Sequence, residues 1–367
     1  MNGRELNHVA SLAEGDRPAT PLGWIQSARF DLTFFILSPL IALPVLIHAP
    51  AGPSVVALVA GCALGVPHYL STFTFFFWED TRAQHRLRWA VFFGGPVLVV
   101  ASLACAVILR VPFIVQVVVY TWNAFHVARQ SCGILSIYRH RAGVQDPIVK
   151  PIVNGAVMST SLALAFSNVQ WFPALHEFMT IVWTPLPRAI FFGMTIVAIA
   201  CLARLAVSLV RRFRSSDRPN YPELLFLATS LLLFHPYLWI HDADRATLGM
   251  LLGHFLQYLG IVWLVHRRKF TEASDQTSRG WLPSLSRSLP VLLIVLAAIG
   301  GGSAAARLLS FRVPTLQALY GAALLSLSLV HFYLDGVFWA FRRPDVRRSL
   351  GPYLTGFRAR AVVGSAG

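Results

Sequence analysis

Charge is what this 367-residue chain is shortest of: Asp, Glu, Lys and Arg together make up 13% of it, against 56% hydrophobic residues. A soluble domain carries about a quarter charged residues, and so much apolar sequence exceeds what one soluble core can bury. No polar stretch is long enough to be a separate soluble domain. Lysine is nearly missing, with Lys150 and Lys269 the only two among 31 basic residues. Low lysine beside abundant alanine and arginine fits a GC-rich bacterial genome, so the expected location is the inner (cytoplasmic) membrane. There are four cysteines, Cys62, Cys105, Cys132 and Cys201. Each lies in an apolar run and none forms a CxxC pair, so they read as small packing residues rather than a disulfide or thiolate framework. No phosphate-binding loop and no GxSxG elbow occurs. The first 28 residues lack a charged start, short apolar core and small-residue cleavage site, so the expectation is that no signal peptide is removed.

What is abundant is apolar runs of spanning length, about 20 residues each. Ten can be traced: 30–47, 55–78, 89–109, 113–138, 152–171, 189–210, 223–240, 247–266, 289–309 and 315–341. The expected fold is an all-α, polytopic transmembrane bundle of about ten spans. The organisation is a cytoplasmic N-terminal segment (1–28), a helical membrane domain (29–342) and a basic cytoplasmic tail (343–367). The net charge of +15 then has a topological reading. With the N-terminus inside, the cytoplasmic segments hold 24 of the 31 cations. Only Arg110, Arg188, Arg245, Arg307 and Arg312 fall outside, and Arg129 and Arg204 lie within spans. This alternation follows the positive-inside rule, places both termini in the cytoplasm, and removes the need for a nucleic-acid partner. The partner is instead the lipid bilayer. Residues 271–288 read as a flexible connector, and Gly300, Gly301, Gly302 and Ser303 as a close-packing surface.

Of the 12 histidines, His68, His126, His254 and His331 sit deep in even-numbered spans that share one direction. Each lies roughly 10 to 12 residues before a cytoplasmic end, or about 15–18 Å of helix, so the four share one depth. Asp335 follows His331 by four residues and shares its helix face. Gln116, Tyr120, Asn123, His126 and Gln130 form one polar stripe, and Tyr320, Ser328, His331 and Asp335 another. Such stripes must face protein or water, and intramembrane ionisable residues point to function. Imidazoles with a carboxylate suit iron, copper or zinc. His68, His126, His254 and His331 are therefore candidate ligands, His235 a fifth, and Asp335 a ligand or catalytic base. Asn123, Gln130, Gln257 and Tyr258 are candidates to orient them. The opposite reading is that each imidazole satisfies a buried interhelical hydrogen bond. The segments His254–Trp263 and His331–Trp339 echo one another, with His68–Trp78 a looser third, as an internal repeat or as helices under like constraints. His85, His140 and His266 mark cytoplasmic span ends, His241 sits in a loop with Asp242 and Asp244, and His8, His48 and His176 look peripheral. Glu79 and Asp80 read as an acidic spot pairing with Arg82 or Arg86.

Scattered histidines on many spans resemble the membrane-bound non-haem metal oxygenases, although the HxxxH and HxxHH boxes of the fatty acid desaturases are missing. The run Gly65-Val66-Pro67-His68 resembles the Gly-hydrophobic-Pro-His segment of the Brp/Blh carotene-cleaving dioxygenases, and Phe234-His235-Pro236 resembles a His-Pro segment of that family. The resemblance implies an iron oxygenase acting on long apolar polyenes, with His68 and His235 as ligands. The expected activity is oxidation or cleavage of a hydrophobic, lipid-soluble substrate at a histidine-bound metal, with a redox partner left open. A metal-ion or proton-coupled transporter and a transmembrane bis-histidine haem protein are the alternatives.

Overall fold

The computed structural model describes residues 23–44, 55–78, 88–109, 111–143, 149–167, 173–182, 184–215, 220–272 and 281–355. His8, His48, Glu79, Asp80 and His85, and the tail beyond residue 355, lie outside the described residues. Every regular element described is helical: α1 (Ala28–Asp31), α2 (Val55–Thr72), α3 (Gly95–Ile108), α4 (Pro112–Arg141), α5 (Val149–Ser167), α6 (Pro173–Val182), α7 (Leu186–Arg214), α8 (Tyr221–Leu232), α9 (Pro236–Trp239), α10 (Ala243–Glu272), α11 (Trp281–Arg287), α12 (Leu289–Ser310), α13 (Pro314–Phe338) and α14 (Pro344–Thr355), with short π and 3-10 turns between. Among the described residues six stretches are long and apolar enough to cross a membrane: Ala90–Ile108, Val149–Ser167, Arg188–Arg214, Ala243–Thr271, Leu289–Ser310 and Pro314–Phe338. The protein is thus an all-helical membrane protein.

Three of the other apolar runs depart from a plain span for visible reasons. The first is broken: α1 passes into a π-helical turn over Leu32–Ile36, then a 3-10 turn over Ser38–Ile41. Carbonyls freed by such a break must be bonded internally. Phe35 O accepts from Gln257 Nε2 at 3.1 Å and from Ser38 Oγ at 3.0 Å, and Ile36 O accepts from Thr229 Oγ1 at 2.9 Å. The seventh run is interrupted between α8 and α9 at His235-Pro236, where proline ends the helical bonding. The fourth, α4, is a 30-residue helix carrying Gln116, Asn123, His126, Arg129 and Gln130.

α10 is the central post, buried along most of its length, whereas α3, α7 and α12 turn most of their surface outward. The broken first segment lies directly on it. A Cβ at Gly253 would stand 3.1 Å from Pro39 Cα, and one at Gly260 2.8 Å from Phe34 Cβ. The C-terminal parts of α2, α4, α10 and α13 gather at one end of the bundle. Trp78 Nε1 donates to His266 Nδ1 at 3.0 Å, Trp339 Nε1 donates to the Tyr258 hydroxyl at 3.3 Å, and Tyr138 donates to Asp31 Oδ2 at 3.0 Å. Arg268 donates to the carbonyls of Ile25, Tyr353 and Leu354, and Arg141 to that of Trp24. The four helices that carry His68, His126, His254 and His331 therefore run parallel. Also at this end, Arg212 forks onto the buried Glu223 carboxylate at 3.0 and 3.3 Å, with Arg139 at 3.6 Å.

The connector read as flexible is ordered in part, and the basic tail begins in a helix. Residues 281–287 of the connector form α11, which buries Leu282, Pro283 and Ser286. The start of the basic tail forms α14, whose Val346, Leu350 and Leu354 join the core. All four cysteines are free.

The small-residue run in α12 acts through one position. A Cβ at Gly300 would stand 2.6 Å from both Cα and O of Ala63, whereas Gly301 and Gly302 face nothing within 4 Å. Pro67 lies inside α2 and has no N–H, so it leaves the Ala63 carbonyl, four residues earlier, without its helical partner. Gly300 covers that spot. Gly300→Leu is expected to destabilise the protein by about 1–3 kcal/mol through overpacking, whereas Gly301→Leu should be tolerated. Thermal unfolding of the two variants in detergent, beside the parent, checks this.

Candidate functional site

The four deep histidines meet. His68 follows Pro67 on α2, His126 sits mid-way along α4, His254 on α10 and His331 on α13. Their ring centroids are 4.8 Å apart for His68–His254, 4.3 Å for His68–His331, 5.2 Å for His126–His254 and 5.2 Å for His126–His331. These four sides close a quadrilateral. His68, His254 and His331 are wholly buried. Each of His68, His126 and His331 offers a nitrogen, and the three nitrogens lie within 4.8 Å of one another.

Asp335 belongs to the same group. Its Oδ2 is 3.7 Å from His126 Nε2 and 3.7 Å from His331 Nε2. Its Oδ1 accepts from the Tyr258 hydroxyl at 2.5 Å and from Thr72 Oγ1 at 3.1 Å. Thr72 Oγ1 also lies 2.7 Å from the Tyr258 hydroxyl and 2.6 Å from His331 Nδ1.

This geometry follows from helical spacing on parallel helices. Residues four apart share a face, and His68/Thr72, His254/Tyr258 and His331/Asp335 are all such pairs. Three parallel helices therefore place imidazoles in one layer and Thr72, Tyr258 and Asp335 in the next, one turn closer to the same end. Thr72 went unrecognised in the sequence, yet it carries the same spacing as Asp335. Aromatic rings wall the cluster. Phe255 lies 4.7 Å and Tyr69 5.2 Å from His68, and Phe332 lies 4.7 Å from His126.

Six ring nitrogens in this space have no hydrogen-bond partner: both of His68, both of His254, and Nε2 of His126 and of His331. Buried polar atoms are almost always bonded, and each one left bare costs about 1–3 kcal/mol. Four unrelated structural histidines would show interhelical hydrogen bonds at these nitrogens. His266 is such a case, with Nδ1 accepting from Trp78 and Nε2 bonded to Thr74 Oγ1 at 2.5 Å. Instead one nitrogen each of His68, His126 and His331 converge within 4.8 Å, with Asp335 Oδ2 3.7 Å from two of the rings, whereas His254 touches the group by ring contact without joining that set. Two ligand atoms on one tetrahedral ion of zinc size stand about 3.3–3.6 Å apart, close to the 3.7 Å that separates Asp335 Oδ2 from each Nε2. The donor set of imidazole nitrogen and carboxylate oxygen suits a first-row transition ion.

Other expected participants fall elsewhere. His235, at the break between α8 and α9, stacks on Trp239 at 5.9 Å and accepts from its Nε1 at 3.0 Å, and it shares no ring contact with the four. The His68–His235 pairing implied by the carotene-dioxygenase likeness is therefore not formed. Gln257 does not orient an imidazole, because its amide nitrogen holds the Phe35 carbonyl of the broken first segment. Gln130 Nε2 reaches only the His254 backbone carbonyl, at 3.5 Å. Asn123 is buried with its Oδ1 unbonded. Of the four candidates to orient the ligands, Tyr258 alone touches a predicted ligand side chain through its own polar group. His241 is exposed in its loop, and His140 is half-buried at the end of α4. No protein-family model, no curated protein and no solved structure matches the chain.

Proposed function

We propose that this protein is a membrane-embedded metalloenzyme in which His68, His126, His254, His331 and Asp335 hold a metal, iron first, with copper and zinc as alternatives. One observation carries the reading: one nitrogen each of His68, His126 and His331 converge within 4.8 Å in a buried space, and Asp335 Oδ2 stands 3.7 Å from the unbonded Nε2 of two of them. A bound iron would supply redox chemistry at that point. The chain's own residues hold the ion, exclude water with Tyr69, Phe255 and Phe332, and keep Asp335 as a ligand or base. The aromatic lining and the depth in the bundle support a hydrophobic substrate that arrives through the bilayer, to be oxidised or cleaved. Haem is a poorer fit. The four rings are in edge contact with one another, and a porphyrin would need the space they fill.

A second reading, a metal-ion or proton-coupled transporter, draws on the two discontinuous helices, at Leu32–Ile41 and at His235-Pro236. Broken spans near a midplane site are the transporter pattern.

The orientation belongs to the same proposal. Arg139, Arg141, Arg212 and Arg268 share one end of the bundle with Trp24 and Tyr353, which supports a common cytoplasmic side; about ten passes and a bacterial inner membrane rest on the sequence alone. Reporter fusions after Arg214 and after Arg343 should read cytoplasmic and one near Asp244 external. An external signal at Arg214 would break the topology.

Elemental analysis of the purified protein tests the centre. Bound transition metal is expected, with no Soret band. His126→Ala and His331→Ala should each bring the metal to background while the protein remains in the membrane, and His235→Ala should leave it unchanged. Metal that resists chelators favours the enzyme, and metal that exchanges within a wash favours the transporter. Metal content indifferent to both His126→Ala and His331→Ala would end the reading.

A further inference from the structure

We infer that Thr72 is a positioning residue that fixes the tautomer of His331 and, with Tyr258, aims Asp335, so that the atoms presented to the centre are His331 Nε2, His126 Nε2 and Asp335 Oδ2. The ligand in this inference rests on the metal reading above; the hydrogen-bond geometry does not.

Protons can be assigned around Thr72 by counting donors. A threonine hydroxyl has one proton, and a neutral imidazole carries one N–H. Thr72 Oγ1 has three polar neighbours, the Tyr258 hydroxyl at 2.7 Å, His331 Nδ1 at 2.6 Å and Asp335 Oδ1 at 3.1 Å. Tyr258 is committed, because its hydroxyl donates to Asp335 Oδ1 at 2.5 Å and accepts from Trp339 Nε1. Suppose Thr72 donates to His331 Nδ1, with Asp335 ionised. Then its contacts with Tyr258 and with Asp335 both hold facing oxygens with no proton between them. Suppose instead that His331 Nδ1–H donates to Thr72 and that Thr72 donates onward to Asp335 or to Tyr258. At most one contact is then left without a proton.

The second arrangement satisfies more of the network, and it runs in one direction. His331 donates to Thr72, Thr72 donates onward, Tyr258 donates to Asp335, and Trp339 donates to Tyr258.

Two consequences follow for the ligand atoms. His331 carries its proton on Nδ1, so Nε2 presents a lone pair, and Nε2 is the nitrogen left unbonded. Asp335 has Oδ1 occupied by donors, so Oδ2 is the free oxygen, 3.7 Å from both His126 Nε2 and His331 Nε2. Two imidazoles and one carboxylate, with His68 beside them, form the kind of set that holds iron(II) while leaving positions open. Partners that fix a ligand's tautomer commonly change metal affinity 10- to 100-fold.

The test uses the full chain in detergent, stripped of metal and labelled with 15N-histidine. The His331 signals are assigned by their loss in His331→Gln. The parent should show Nδ1 protonated and Nε2 bare. Thr72→Val keeps the shape and removes the hydroxyl, so it should lose that preference, and Thr72→Ser should restore it. Cobalt(II), added as an optical probe, should bind Thr72→Val about 10- to 100-fold more weakly than the parent, with Thr72→Ser recovering the affinity. A His331 proton on Nε2 in the parent, or a Thr72→Val protein that binds cobalt as the parent does, overturns the inference. A parent that shows the Nδ1 proton but takes up no cobalt, iron or zinc overturns the metal reading and leaves the tautomer assignment standing.

Discussion

Lipid offers no hydrogen bonds, and every polar group placed at depth must therefore be answered from within the bundle. The histidine layer is where six buried nitrogens are left without an answer together. Many other polar groups are answered. The broken first segment hands its carbonyls to Gln257, Ser38 and Thr229, Glu223 sits between Arg212 and Arg139, and Arg268 is spent on backbone carbonyls. Other buried polar atoms are also bare, among them Asn123 Oδ1, Gln257 Oε1, Ser161 Oγ and Trp263 Nε1, but six nitrogens from four helices are concentrated in the histidine layer. They mark a position where a cation would satisfy what the protein does not.

The polar contacts at one end of the bundle explain how the layer is kept in register. Buried ion pairs are poor sources of net stability but strong in direction, since breaking one strands a charge. Glu223 at the start of α8 meets Arg212 at the end of α7 and Arg139 near the end of α4, while Arg268 ties the end of α10 to α14 and to Ile25. These ties set how far each helix slides along its neighbour. A slide of one residue is about 1.5 Å, enough to separate ligand atoms that must converge on a single ion. The proposed site thus depends on contacts several turns away.

Much of the site was legible from spacing. The depth of His68, His126, His254 and His331 could be counted from the basic residues at span ends, and shared depth became contact because the four helices run parallel. Asp335 was visible because it lies one turn after His331. Thr72 carried the same signal one turn after His68, but a threonine in a span is usually satisfied by the carbonyl a turn before it, which hid it. His235 misled because a His-Pro pair at a helix break looks like a ligand presented by a kink, whereas its partner, Trp239, is simply the residue one turn on. Gln257 misled for a long-range reason: the break in the first segment creates an acceptor at Phe35, 222 positions away in the chain, and nothing local to Gln257 announces it. Six plain spans stand among the described residues, and at the first, fourth and seventh runs two breaks and a polar stripe replace regular apolar helix.

The two-layer arrangement also says why a hydroxyl and a phenol, rather than a cation, stand behind Asp335. An arginine or lysine there would neutralise the carboxylate and compete for Oδ2, the oxygen that faces the imidazoles. Thr72 and Tyr258 are donors without charge, and both act on Oδ1. The carboxyl group is thereby oriented with Oδ2 turned towards the two Nε2 atoms. A contact that served only to close a helix interface would be expected to answer Oδ2 with a hydrogen bond. The choice of uncharged donors thus fits a site built to receive a cation better than one built only to close a helix interface.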